Sequence, residues 1–225
     1  MCKVLITSGG TSVKIDAVRS ITNMSTGRFG SEIAREFVDF GCDTVYVVSK
    51  NGKRPLLRPQ DFGTDVYKEY VYDDYYEYKD QLYKAIVTER PDMVILAAAV
   101  SDYVVKNPSQ EKISSDTNLT IELEPAPKII SGLKRDFPWI KLVGFKLLVD
   151  SSFSSLVKAA IKSIETNNCD MVVANDLTSI KNGKHEIVIV QKTDKDYDVY
   201  SYDSSQARRV FDHCFNILAD EVELY

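Results

Sequence analysis

The chain has 225 residues, of which 44% are hydrophobic and 27% charged, with a formal net charge of −5. That length supports one α/β domain with a full core, or two small domains. The acidic balance disfavours nucleic acid as the main partner, and no apolar run approaches the ~18–20 residues of a membrane span. The opening MCKVLITSGG enters a strand directly, which predicts no signal peptide and a cytoplasmic location. The four cysteines, Cys2, Cys42, Cys169 and Cys214, are widely spaced and make no C-x-x-C, and His185 and His213 form no ligand pattern with them. Reduced, structural thiols are therefore expected rather than a disulfide framework or a zinc site.

Strands and helices alternate along the chain. This predicts a Rossmann-like, mostly parallel sheet with helices on both faces. Residues 3–7 read as the first strand. The segment TSGGTSVKIDAVRSITNMSTGRFG, residues 7–30, then places a Gly-Gly turn and a long polar insertion before the first helix. That helix is expected over 26–40, because Phe29, Ile33 and Phe37 recur on one face and Gly41 supplies a stop. Residues 45–48 read as a strand, 50–63 as a loop rich in Gly and Pro, and 65–72 as a more polar strand. Asp73 or Asp74 caps a helix reaching about residue 90. The run MVILAAAV, residues 93–100, has the unbroken apolar character of a central parallel strand.

Residues 103–118 are polar and predict a mobile loop, and LTIELE at 119–124 alternates like a strand. A short helix over 128–136, a strand over 141–145, a helix over 152–167 and a strand over 171–175 follow. Residues 186–191 and 198–202 read as a hairpin with few apolar partners in sequence. It is expected to project at a subunit interface and to support a homodimer. A helix over 205–224 closes a single domain spanning 1–225.

Several constellations carry chemistry. Gly9 and Gly10 suit either a tight strand exit or the close approach of backbone N–H groups to an anion. In the insertion, Arg19 suits a clamp on phosphate or carboxylate. Asn23 offers both donor and acceptor, and Ser25 and Thr26 also suit helix capping. Ala97 and Ala98 end the central strand, where open α/β sheets bind ligands, and their small side chains leave room for a flat base or a sugar. Asp102 just beyond can accept from a hydroxyl or amino group, or cap a turn. Lys112 lies in the polar loop that follows, able to neutralise a polyphosphate if that loop closes. Phe145 suits packing against a nucleobase or in the core. Lys158 and Lys162, one turn apart on a helix, suit either contact with phosphates or, the favoured reading, the surface. Nicotinamide-binding folds place an acidic residue after the second strand, where this chain has Ser49 and Lys50. With G-x-G-x-x-G also missing, NAD is disfavoured, and an NADP-dependent reductase is the alternative from another enzyme class.

Together TSGGT, IDAVRSITNMSTGRFG, AAAVSDY, EKI, VGFK and VVAND resemble the phosphopantothenoylcysteine synthetase family, in its order and spacing and over nearly the whole chain. The resemblance implies a ligase of coenzyme A biosynthesis. In such a ligase the carboxylate of 4′-phosphopantothenate attacks the α-phosphate of CTP or ATP, pyrophosphate leaves, and the amine of L-cysteine attacks the acyl-nucleotide. It also implies the stand-alone form, without the flavin-dependent decarboxylase half of the common bacterial fusion. A separate decarboxylase is then a possible partner, and a non-catalytic nucleotide-binding companion of that decarboxylase is a third reading.

By the family's pattern, Asn23 handles the substrate carboxylate and the acyl intermediate. Lys112 is the lysine of a closing flap over 103–118 and acts on the triphosphate. Ala97, Ala98, Asp102 and Phe145 contact the nucleotide, while Arg19, Gly9 and Gly10 contact the anionic substrate. Triphosphate chemistry implies Mg²⁺, although no carboxylate cluster for it is visible. Ala126-Pro127-Lys128-Ile129 stands where the fusion form has Asn-Pro-Asp-Ile, and Lys146 follows Phe145 where the fusion form has small residues. These departures leave CTP or ATP open.

Overall fold

Most of the apolar runs that read as strands come together in one sheet. The computed structural model describes residues 2–58, 66–116 and 118–219. In chain order its elements are β1 (Lys3–Ser8), β2 (Ser12–Lys14), β3 (Ser20–Thr22), α1 (Arg28–Phe40), β4 (Asp43–Ser49), β5 (Tyr67–Tyr72), α2 (Tyr75–Glu89), β6 (Met93–Leu96), β7 (Tyr103–Val105), β8 (Leu123–Pro125), α3 (Ile130–Asp136), β9 (Lys141–Leu148), α4 (Phe153–Asn167), β10 (Met171–Asp176), α5 (Leu177–Lys181), β11 (Ile187–Lys192), β12 (Tyr197–Tyr202) and α6 (Gln206–Ala219). Parts of the expected loop 50–63, strand 65–72, flap 103–118 and final helix 205–224 lie outside the described residues.

The main sheet has eight strands among the described residues, in the order β12-β11-β10-β9-β6-β1-β4-β5. From β5 to β10 every neighbouring pair is parallel. The chain builds outward from β1 through β4 to β5, then returns to β6 on the other side of β1. That reversal opens a crevice at the carboxyl ends of β1 and β6, where sheets of this type bind ligands.

Period-two alternation sends successive residues of β1 to opposite faces. Leu5 joins Leu82, Ile86, Leu156 and Ile164 under α2 and α4. Val4 and Ile6 join Ile33, Phe37, Phe211 and Cys214 under α1 and α6. Because both faces are covered, β6 is apolar throughout. Local signals agree with this packing. Gly41 takes a left-handed φ of 87° and closes α1 on Phe37 and Val38, Asp74 caps α2 through the N–H groups of Tyr76 and Glu77, and Ser152 caps α4. No helix among the described residues is long and apolar enough to cross a membrane.

Four expectations need correction. The hairpin does not project. β11 pairs antiparallel with β10 along its length, and Ile187, Val188, Ile189 and Val190 are all buried. Their alternation feeds both core layers, Val188 and Val190 under α4, Ile187 and Ile189 under α6, so the partners the hairpin lacks locally come from distant helices. Secondly, Cys2 and Cys42 form a disulfide. Parallel pairing sets Lys3 opposite Asp43 and so brings the preceding residues within 5.2 Å between Cα atoms, a proximity that a separation of 40 positions conceals. Cys169 and Cys214 remain free and buried. Thirdly, the strand over 93–100 ends at Leu96, and only Ala99 rejoins the sheet edge, through a parallel bridge to Gly10. Lastly, residues 103–118 are not wholly loop, because β7 pairs with β8 in a separate ribbon.

Candidate active site

The end of β1 is laced to the residues beyond β6. Ala98 N–H donates to Thr7 Oγ1 at 3.2 Å and Ser101 N–H to Thr11 Oγ1 at 2.9 Å. Ala99 N–H donates to the Gly9 carbonyl at 2.8 Å, and Thr11 N–H to the Ala99 carbonyl at 3.1 Å. The two glycines have separate reasons to be there. Gly9 has a φ of 90°, and a Cβ on it would sit 2.0 Å from Ser49 Oγ. A Cβ on Gly10 would sit 2.4 Å from the Asn23 carbonyl oxygen, so only glycine lets the insertion fold back this closely.

Asn23 is held against both strand ends. Its backbone N–H donates to the Thr11 carbonyl at 3.2 Å, and its side-chain Nδ2 donates to the Ala99 carbonyl at 3.0 Å. That uses one of two amide hydrogens. Among the described residues its Oδ1 accepts no hydrogen bond. Beside it, the N-cap position of α1 is Gly27, which has a φ of 72° and no side-chain cap. Ser25 and Thr26 do not cap the helix. Ser25 Oγ accepts from Gly27 N–H at 3.3 Å and Thr26 Oγ1 from Arg28 N–H at 3.4 Å, both within the approach to the helix. Of the first N–H groups at this helix start, those of Phe29 and Gly30 have no side-chain acceptor among the described residues, a setting suited to an anion. A polar cavity of about 250 Å³ lies here, lined by Gly10, Ser12, Asn23, Ser25, Ser49 and Lys50 among others.

Phe145 lies beside this edge. Gly144 pairs with Leu96, so Phe145 follows on next to Ala97. Its ring is half-buried and meets Phe29 edge-on, with centroids 5.9 Å apart, and Phe29 in turn meets His185 at 4.9 Å. Burial pushes His185 below its ordinary pKa. Asp102 is exposed and ion-paired with Lys128, one of the residues that depart from the fusion pattern, and nothing in the local sequence links the two. Lys158 and Lys162 are exposed on α4.

Arg19 is not free to clamp a ligand with its whole guanidinium. It pairs with Asp16 at 2.5 Å and donates to the Ile113 carbonyl at 2.9 Å. Asp16 escaped the sequence reading because a lone Asp before a turn looks like any turn-former. Lys112 is exposed, and among the described residues it makes no hydrogen bond or ion pair. The fold therefore gathers Gly9, Gly10, Asn23, Ala97, Ala98 and Phe145 at one edge. It joins Arg19 to the Lys112 loop and leaves the Lys112 ammonium outside the cavity lining. No group of three or more His, Cys, Asp or Glu that could hold a metal ion occurs among the described residues.

Residues 1–217 match the family model described as DNA/pantothenate metabolism flavoprotein C-terminal domain. The chain is 38% identical over 188 residues to the coenzyme A biosynthesis bifunctional protein CoaBC of Thermococcus kodakarensis, covering 84% of this chain and 44% of that one. It is 26% identical over 225 residues to phosphopantothenate–cysteine ligase 2 of rice, covering 79% of this chain and 69% of the relative. The chain thus spans less than half the length of the bifunctional relative. The crystal structure of the DNA/pantothenate metabolism flavoprotein from Streptococcus pneumoniae superposes with a TM-score of 0.82 at 28% identity, over 96% of this chain and 100% of that one. The fold, the matched span and these likenesses agree: the chain belongs to the DNA/pantothenate metabolism flavoprotein C-terminal domain family.

Proposed function

We propose that the chain is a phosphopantothenate–cysteine ligase dependent on a nucleoside triphosphate. The observation that carries this reading is Asn23, anchored to both strand ends at the sheet reversal, with one amide hydrogen and Oδ1 still available among the described residues. The names of the relatives support the same reaction.

The chemistry must bring a carboxylate to a triphosphate, so charge neutralisation dominates the first step. The α1 N-terminus and the Lys112 ammonium supply it in this reading. The carboxylate oxygen forms a bond to the α-phosphorus, the bond to the β-phosphate oxygen breaks, and pyrophosphate leaves. In the second step the cysteine amine attacks the acyl carbon and the nucleoside monophosphate departs with the bonding pair. Negative charge builds on the acyl oxygen only in this second step. In this reading the remaining Nδ2 hydrogen of Asn23 donates to it. Ala97, Ala98 and Phe145 form the wall against which the base or sugar lies. CTP is the nucleotide proposed first, with ATP as the alternative. A homodimer in which the exposed outer face of β12 meets its copy belongs to the same proposal, and a stable monomer in sedimentation contradicts it. The product keeps the cysteine carboxylate, so a separate flavin-dependent decarboxylase is its proposed consumer.

Asn23→Asp provides the test. The new carboxylate weakens binding of the anionic substrate, but it opposes the charge built up in transfer to cysteine more strongly. Transfer is expected to slow by ~10²–10³, with a smaller loss in pyrophosphate release. Rapid-quench measurement of the two half-reactions separates them, and equal losses in both contradict the assignment.

A further inference from the structure

The turn over residues 15–19 grips the loop that carries Lys112. Asp16 is 2% exposed. Its Oδ1 accepts from the backbone N–H groups of Val18 at 2.9 Å and Arg19 at 2.8 Å. Its Oδ2 accepts from Arg19 Nε at 3.0 Å and Nη2 at 2.5 Å, and from the backbone N–H of Ile113 at 3.1 Å. Arg19 Nη2 then donates to the Ile113 carbonyl at 2.9 Å. Both backbone groups of Ile113 are therefore held, one by each member of the ion pair. A further bond from Ser109 N–H to the Ile15 carbonyl, at 3.0 Å, closes the same seam.

A buried carboxylate is tolerated only when its lone pairs are met by donors. Here Arg19, followed by the backbone N–H groups of Val18, Ile113 and Arg19, holds the Asp16 carboxyl well below the usual carboxylate range. The pair therefore stays charged throughout ordinary assay conditions. Lys112 directly precedes Ile113, so its backbone is fixed at one end while its ammonium remains unengaged by the described residues.

We propose that Asp16 is a positioning residue which, through Arg19 and Ile113, latches the Lys112 loop onto the turn leading to Asn23. Its effect on rate rests on the ligase reading. The latch itself is a contact between two segments and is measurable without turnover. It also gives Arg19 a use other than direct contact with substrate.

Hydrogen exchange on the full chain, free of ligands, tests the contact. In Asp16→Asn, exchange at the Ser109 and Ile113 amides is expected to rise by ~10-fold or more while β1 and β6 are unchanged. Ile113→Pro removes the loop's donor without altering the buried carboxylate, and is expected to raise exchange at Ser109 as well. Unchanged exchange at Ser109 and Ile113 in Asp16→Asn, and at Ser109 in Ile113→Pro, overturns the latch. A double-mutant cycle tests the positioning. Asp16→Asn is expected to slow pyrophosphate release by ~10–100-fold with little change in nucleotide KM. In a Lys112→Gln background the same substitution is expected to cost under ~2-fold, because both changes act through one group. The same factor in both backgrounds overturns the positioning role. Absence of pyrophosphate release from the unaltered chain refutes the ligase reading instead, and the exchange measurement still decides the latch.

Discussion

Reduction of the Cys2–Cys42 bond is expected to lower the unfolding free energy by about 4 kcal/mol, since the bond closes a loop of roughly forty residues in the unfolded chain. That loop contains β1, the polar insertion and α1, the whole unit that presents Gly10 and Asn23 to the cavity. Urea unfolding with and without reductant, and of Cys2→Ser, measures the effect. A shift below about 0.5 kcal/mol contradicts a stabilising role. Thiol counting checks the bond itself. In denaturant without reductant, alkylation should reach only Cys169 and Cys214, the two free cysteines. In the folded chain even these should resist, because burial pushes the Cys169 thiol up to about 12 and leaves Cys214 wholly enclosed. Disulfides persist in oxidising compartments and in intracellular proteins of hyperthermophiles, so the result bears directly on the expected cytoplasmic location.

Lys112→Gln is expected to slow pyrophosphate release by ~10³. An ammonium about 4 Å from a phosphate oxygen, at an effective dielectric near 20, contributes about 4 kcal/mol, or roughly three powers of ten in rate where that contact forms only in the transition state. Glutamine keeps the length and a polar head but not the charge. Stability should not change, since Lys112 is exposed and engages none of the described residues. Rapid-quench assays with 4′-phosphopantothenate and CTP or ATP measure the loss. A variant within a few-fold of the parent removes Lys112 from the mechanism.

The parallel sheet was legible in the sequence because its signals are local. Val4 to Ile6 and Met93 to Leu96 are apolar without a break, and Phe29, Ile33 and Phe37 mark one helical face closed by Gly41. The glycine pair and Asn23 were legible as candidates for the same reason, being unusual residues at a strand exit. What escaped depends on partners far apart in the chain. Ile187 to Val190 look isolated until β10 and the helices on both faces are in place. Cys2 meets Cys42 only once β1 and β4 have paired. The Asp16 latch reaches almost a hundred positions along the chain to Ile113, and Lys128 reaches back to Asp102. Ser25 and Thr26 misled for a different reason. Both are good capping residues, yet the N-cap position falls on Gly27, which packs with Gly30 so close to Ser8 Oγ that neither leaves room for a Cβ.

The proposed ligase chemistry requires the edge shared by β1 and β6 to unite a carboxylate with a triphosphate and form an acyl-nucleotide. Single-turnover assays with CTP and ATP side by side, with cysteine present or absent, test this most directly. The expected result is a burst of pyrophosphate that requires 4′-phosphopantothenate but not cysteine, followed by nucleoside monophosphate only when cysteine is added. Pyrophosphate formed equally without 4′-phosphopantothenate, or no pyrophosphate with either nucleotide, contradicts the claim.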